Sequence, residues 1–228
     1  VTASDTDATN TTTQEITVNL TNVNDIAPVF TSADAFIVAE GTDAVATLTG
    51  SDAEGDSVSF NTTLSGTDAG DFTLSSSGAL AFAATPNFEA AADNGADNVY
   101  NITVTITDGT NTSTQAIAIT VTNENDNTPA ITSANTFSKA EGGTAVATLT
   151  GTDADGSTPT FSTTLAGVDA ADFALTEAGV LTFAATTNFE APADAGTDNV
   201  YNITVTITDG TNTSTQAIAI TVTNENDN

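Results

Sequence analysis

The chain repeats itself at the scale of a whole domain. Asp25, Asp126 and Asp227 stand 101 residues apart, as do Glu40 and Glu141, and residues 97–127 are identical to residues 198–228. A period of that length carries a complete fold in each copy, unlike the roughly 20–50-residue units of solenoids. Gln14 to Asp25 (QEITVNLTNVND) aligns with Gln115 to Asp126 (QAIAITVTNEND). The 228 residues therefore divide into the end of one repeat over 1–25 and two whole repeats over 26–126 and 127–228. The chain lacks Met and opens inside a strand pattern, so it reads as a piece of a longer protein in which the missing leader says little about destination.

Within a repeat the hydrophobic period is two. Tyr100, Ile102, Val104 and Ile106 point to one face while Asn101, Thr103, Thr105 and Thr107 point to the other, which predicts a half-buried strand. Ile117, Ile119 and Val121 alternate likewise, and Asp108-Gly109 to Ser113 supplies the turn between the two strands of a hairpin. Shorter strands are predicted at 36–38, 44–49 and 58–64, with 72–74 paired to 79–82. About seven strands in roughly 100 residues fit an antiparallel sandwich. Tyr100, Tyr201, Phe30, Phe60, Phe72, Phe82 and Phe88 are assigned to its core. Residues 1–25 supply at most a hairpin, which is marginal alone in water. Either the rest of that repeat lies upstream, or the hairpin completes a sandwich in a neighbouring chain by strand addition.

Charge narrows the partners. Thirty acidic residues face a single base, Lys139, for a formal net charge of −29. Such a chain repels nucleic-acid phosphates and anionic lipid. No apolar run reaches membrane-spanning length. Cys and His are absent, which removes disulfides, zinc and haem sites and every catalytic scheme built on those side chains. A glycosidase using acids alone needs two carboxylates flanking a cleft, and evenly spread acids give no such signal. N-x-S/T triplets such as Asn61-Thr62-Thr63 and Asn101-Ile102-Thr103 arise by chance in a Thr-rich chain.

The acids fall into an ordered series: AEG at 39–41, SDAEGD at 51–56, NFE at 87–89, ITDG at 106–109 and NENDN at 123–127, with AEG, TDADG, NFE, ITDG and NENDN following in the second repeat. This order resembles the cadherin repeat, above all the bacterial cadherin-like form of long surface proteins. The resemblance implies an all-β chain of tandem seven-stranded Greek-key sandwiches, cadherin-like and Ig-like. It also implies calcium held between consecutive repeats, and no enzymatic role. Carried over, the ligands between the whole repeats would be Glu40, Glu89, Asn125, Asp126, Asp153, Asp155 and Asp209, with the backbone carbonyls of Glu124 and Asn127. Asn24, Asp25, Asp52, Glu54 and Asp108 would form the near half of an earlier junction; Glu141, Glu190 and Asp227 would belong to a later one. Asn87 and Asn188 stand where the family usually has Asp, and Glu54 replaces an Asp, so the outermost ion of a set is expected to be weak or missing.

A set of carboxylates with no basic side chain nearby needs a hard cation to offset its repulsion, and calcium takes six to eight oxygen ligands of these kinds. The blander reading makes these acids solvated surface and NENDN a polar turn before Pro129. Asp43, Asp56, Asp68, Asp71, Asp93 and Asp97 are assigned mostly to solubility or loop caps, with Asp97 and Asp198 placed for a local bond ahead of a strand. The function expected is an extracellular or cell-surface rod or stalk stiffened by calcium and touching neighbouring repeats of its own array. Homotypic adhesion or filament contacts are the competing expectation.

Overall fold

The computed structural model describes residues 2–4, 7 and 11–226. Short strands β1 (Thr2–Ser4) and β2 (Thr11–Thr13) pair antiparallel, Thr2 opposite Thr13. Gln14 to Asp25, which aligns with Gln115 to Asp126, carries no strand. Its apolar residues stand in water: Ile16, Val18 and Leu20 are 59%, 75% and 94% exposed, whereas their counterparts Ile117, Ile119 and Val121 are buried. An alternating pattern becomes a strand only when a sheet receives its apolar face.

The first whole repeat contains β3 (Val29–Phe30), β4 (Ala35–Ala39), β5 (Ala44–Thr47), β6 (Gly50–Ser51), β7 (Ser59–Phe60), β8 (Phe72–Leu74), β9 (Ala79–Phe82), β10 (Val99–Thr107) and β11 (Thr112–Thr122). The second contains β12 (Ala130–Ile131), β13 (Thr136–Ala140), β14 (Ala145–Thr148), β15 (Gly151–Thr152), β16 (Thr160–Phe161), β17 (Phe173–Leu175), β18 (Val180–Phe183), β19 (Val200–Thr208) and β20 (Thr213–Thr223). Sheet order is β4-β11-β10-β7 opposite β5-β9-β8, with β3-β6 as a separate pair, and the second repeat copies all three sheets. The chain clusters into two compact units, one of residues 1–87 with 91–121 and one of 88–90 with 122–228.

The predicted hairpin is present in full: β10 and β11 pair from Val99–Thr120 to Thr107–Thr112, and β19 and β20 do the same. The strand predicted at 44–49 ends at Thr47 as β5, and a separate short strand, β6, follows it. The strand predicted at 58–64 stops after Phe60, because the Asn61 carboxamide oxygen accepts the Thr63 N–H and turns the chain, and pairing resumes only at the Ser65–Thr103 bridge.

Each sandwich closes on an aromatic cluster. Tyr100 packs edge-on against Phe72 and Phe82, with ring centroids 5.6 and 5.2 Å away, and Tyr201 repeats this with Phe173 and Phe183. The tyrosine hydroxyls accept the N–H of Ala92 and Ala193. Phe30 and Phe88 are only half-buried.

A second internal anchor is made of carboxylates. Asp68 and Asp93, 3% and 6% exposed, are buried and have no basic neighbour. Asp68 accepts the N–H of Asn94 and Asn101; Asp93 accepts those of Gly95, Asp97 and Asn98. Of the two roles expected, solubility and loop capping, they fill the second and do so buried: they tie the 92–98 loop onto the start of β10, and Asp169 and Asp194 do the same in the second repeat. The loop needs the tie because Ala96 and Asn98 sit at φ 51° and 62°, unfavourable for side chains with a Cβ. Asp97 accepts the Val99 N–H and Asp198 the Val200 N–H, the local bonds expected ahead of the strand.

Asp71 stands beside this pair and is poorly placed. Burial, then the charges of Asp68 and Asp93, push its carboxyl above the usual range. A carboxylate with a raised folded-state pKa costs stability wherever it is ionised, and the cost disappears as pH falls below its unfolded value. Asp71→Asn should therefore raise the melting temperature at pH 7 slightly, by ~2 °C, and leave it unchanged at pH 3. A lower melting temperature at pH 7 would contradict this.

Candidate metal centre

The oxygen-rich sites are built by turns that the sheets hold in place. After β15 the chain makes a tight turn over Asp153-Ala154-Asp155-Gly156, in which the Asp155 N–H donates to Asp153 Oδ1 at 2.9 Å. After β19 the Asp209 carboxylate caps the next turn through the N–H of Thr211 and Asn212, both at 2.6 Å. The two turns meet, and carboxylate oxygens of Asp153, Asp155 and Asp209 all lie within 4.8 Å of one another.

The linker enters the same cluster. Asp155 accepts the Asn127 N–H at 2.9 Å and its carboxamide at 2.7 Å. The Asn212 carboxamide donates to the Asn127 carbonyl at 2.9 Å, so that carbonyl, expected as a ligand, lies at the cluster. Asn125 lies 3.0 Å from Asp209 Oδ2 and 3.2 Å from Asp155 Oδ2. Turned nitrogen-inward, its amide donates to both carboxylates. Turned oxygen-inward, it adds a third oxygen to theirs.

The first repeat builds a related arrangement from the equivalent turns. Glu54 Oε2 accepts the N–H of Asp25 and Ile26, both at 2.9 Å; Asn111 donates to the Asn24 Oδ1 and to Asp108. Oxygens of Asp52, Glu54 and Asp56 lie within 4.8 Å of one another. Burial opposes ionisation of Asp108 and Asp209, but the N–H groups of their turns hold both carboxyls below the usual range, so they are anions at neutral pH.

These residues fit a hard cation by one further test. Asp52 Oδ2 and Asp153 Oδ2 are buried and have no hydrogen-bond donor. A buried carboxylate oxygen left bare is costly, and the cost recurs at equivalent positions of both repeats. Carboxylates, carboxamides and carbonyls without nitrogen or sulfur ligands suit calcium.

The other predicted residues are placed as follows. Glu40, at the end of β4, is buried, and Glu124 is exposed. Glu89 and Asp126 are exposed, with carboxylate oxygens within 4.8 Å of each other. Glu141 is buried and accepts the N–H of Phe189 at 2.6 Å and of Glu225 at 2.9 Å, which lower its pKa. Glu190 accepts the Asn224 carboxamide at 2.6 Å. Asp227 lies outside the described residues. Asn111 and Asn212, which clamp the linker, were not anticipated, although TDGTNTS occurs at both places and marks them. Asp56, assigned to solubility or a loop cap, belongs instead to the first acidic cluster.

Comparison with known proteins agrees with this architecture. Residues 24–120 match the family described as Bacterial Ig domain. The human Protocadherin-24 EC1-2 crystal structure superposes with a TM-score of 0.68 at 16% identity, covering 88% of this chain and 99% of that one. Drosophila N-cadherin EC1-4 gives 0.66 at 18%, covering 87% of this chain and 50% of that one. Mouse Cadherin-23 EC22-24 gives 0.64 at 18%, covering 89% and 66%. No curated protein matches the sequence. The whole repeats are immunoglobulin-like β-sandwiches of the cadherin type. The match of residues 24–120 to the bacterial Ig family and the superpositions on cadherin extracellular domains agree on this fold. Among the described residues no helix is long and apolar enough to cross a membrane.

Proposed function

We propose that this chain is part of an extracellular, surface-displayed stalk whose successive repeats are fixed in orientation by calcium bound at the linkers. The observation that carries the reading is the pair of buried, donor-free carboxylate oxygens, Asp52 Oδ2 and Asp153 Oδ2, at equivalent positions of two repeats. Calcium supplies positive charge and flexible oxygen coordination. The chain supplies Asp153, Asp155, Asp209, Asn125 and the Asn127 carbonyl from one side of a linker, and Glu40, Glu89 and Asp126 complete the set. Ligands drawn from both sides convert a flexible connection into a stiff one. Millimolar calcium outside cells fills sites of modest affinity that cytosolic calcium would leave empty. The array offers its neighbours matching acidic surfaces, which calcium neutralises.

X-ray scattering in calcium and in chelator tests this. The chain should extend in calcium and become flexible without it, while circular dichroism reports folded sandwiches in both. Asp126→Ala should melt as the unmodified chain does yet require about tenfold more calcium to extend, since removing one charged ligand weakens an oxygen site. Identical scattering with and without calcium would overturn the proposal; global unfolding of the variant would overturn the placement of Asp126 outside the cores.

The exposed stripe of Ile16, Val18 and Leu20 favours a second reading, assembly by strand addition to another copy. Filaments that survive deletion of residues 1–22 in electron micrographs would rule it out.

A further inference from the structure

We infer that position 56 of the first repeat and its equivalent, 157, in the second supply a further cation ligand, and that the change from Asp56 to Ser157 gives the two repeats different calcium affinities. This rests on the calcium reading above.

The two turns are the same device. Gly55 and Gly156 adopt φ of 87° and 78°, a region open to glycine, and their N–H groups close the turn onto the carbonyls of Asp52 and Asp153. Glu54 and Asp155 donate backbone N–H to the carboxylates of Asp52 and Asp153, at 2.8 and 2.9 Å. The reversal brings the residue after the glycine back beside the first aspartate. In the first repeat that residue is Asp56, whose carboxylate oxygen lies within 4.8 Å of those of Asp52 and Glu54. In the second it is Ser157, whose Oγ is buried and without a hydrogen-bond partner, as is Asp153 Oδ2 of the same turn. A hydroxyl buried without partners is unfavourable, and a hard cation accepts its lone pair as readily as a carbonyl's.

The ligand sets then differ in charge. Within the turn itself the first repeat offers three carboxylates, Asp52, Glu54 and Asp56, where the second offers two, Asp153 and Asp155, with a neutral hydroxyl in the third place; Asp108 and Asp209 cap the following turn in each repeat. Oxygen sites gain calcium affinity with each added charged ligand. The second repeat's turn is the weaker site and sets the calcium concentration at which its linker stiffens.

Calcium titration of the whole chain, followed by the amide resonances of Gly55 and Gly156, reads the two turns separately. Ser157→Asp should lower the midpoint at Gly156 on the order of tenfold and leave Gly55 unmoved. Asp56→Ser should raise the midpoint at Gly55 by a similar factor; it removes bulk and charge, so it does not depend on fitting a larger side chain. Unshifted midpoints in both variants, with the unmodified chain still binding, would overturn the ligand role and leave the calcium reading intact. No calcium response at either turn of the unmodified chain would overturn both.

Discussion

Moved from chelator into millimolar calcium, the chain is expected to gain thermal stability and to resist proteolysis across residues 122–129. A ligand that binds only the folded state stabilises it by mass action, about 2.7 kcal/mol for one site at a hundredfold excess over Kd and about 4.1 at a thousandfold. The clustered carboxylates add to this from the other direction, because without a cation Asp153, Asp155 and Asp209 repel one another at close range. Magnesium at the same concentration should do much less, since it keeps its waters and demands a smaller octahedral shell. Scanning calorimetry in calcium, magnesium and chelator decides the matter. Equal melting temperatures in calcium and in chelator would refute the expectation.

Removing Asp93 should do comparable damage to one repeat by another route. Asp93→Ala leaves the N–H groups of Gly95, Asp97 and Asn98 unpaired and frees a loop held at unfavourable φ. The expected loss is about 3 kcal/mol, on the order of 15 °C in that repeat's Tm. The second repeat keeps Asp194 and should melt where it did, so one transition should become two. Acid should act on the same tie. Burial opposes ionisation of Asp93 and Asp194, but the backbone donors win and hold both carboxyls below their usual range. A lowered folded-state pKa contributes stability that is present above the unfolded value of about 3.9 and is lost as pH falls through the folded one. Melts between pH 7 and pH 2 should show this loss, and it should be smaller in Asp93→Ala. A variant with unchanged melting, or with the same acid sensitivity, would show that the tie carries little of the stability.

The parts of the fold legible in the sequence were those governed by local pattern. The β10–β11 hairpin could be placed because nine paired positions alternate without interruption and a Gly-containing turn closes them. The acids at 153, 155 and 209 could be grouped because the ordered motifs in which they stand resemble the cadherin repeat. What stayed hidden depends on burial, which a charged residue does not advertise. Asp68 and Asp93 look like surface acids in one dimension, yet backbone N–H groups 26 and 33 residues beyond Asp68 converge on it. Asp56 was missed because a turn, and not periodicity, brings it beside Asp52. The break after Phe60 was missed because a single Asn side chain outcompeted a strand pattern.

The identity of the two β-hairpins has a consequence for how the chain reaches its native state. Residues 97–127 and 198–228 are the same sequence, and each supplies the central pair of strands of a sandwich. Nothing in either hairpin tells it which sandwich is its own. Only the length of chain between hairpin and partner strands favours the correct choice, and entropy distinguishes loops of different length weakly. During synthesis the first repeat emerges and can close before its rival exists. When the whole chain refolds from denaturant both hairpins compete at once, and exchanged repeats, within a chain or between chains, become metastable products whose cores are as well packed as the native ones.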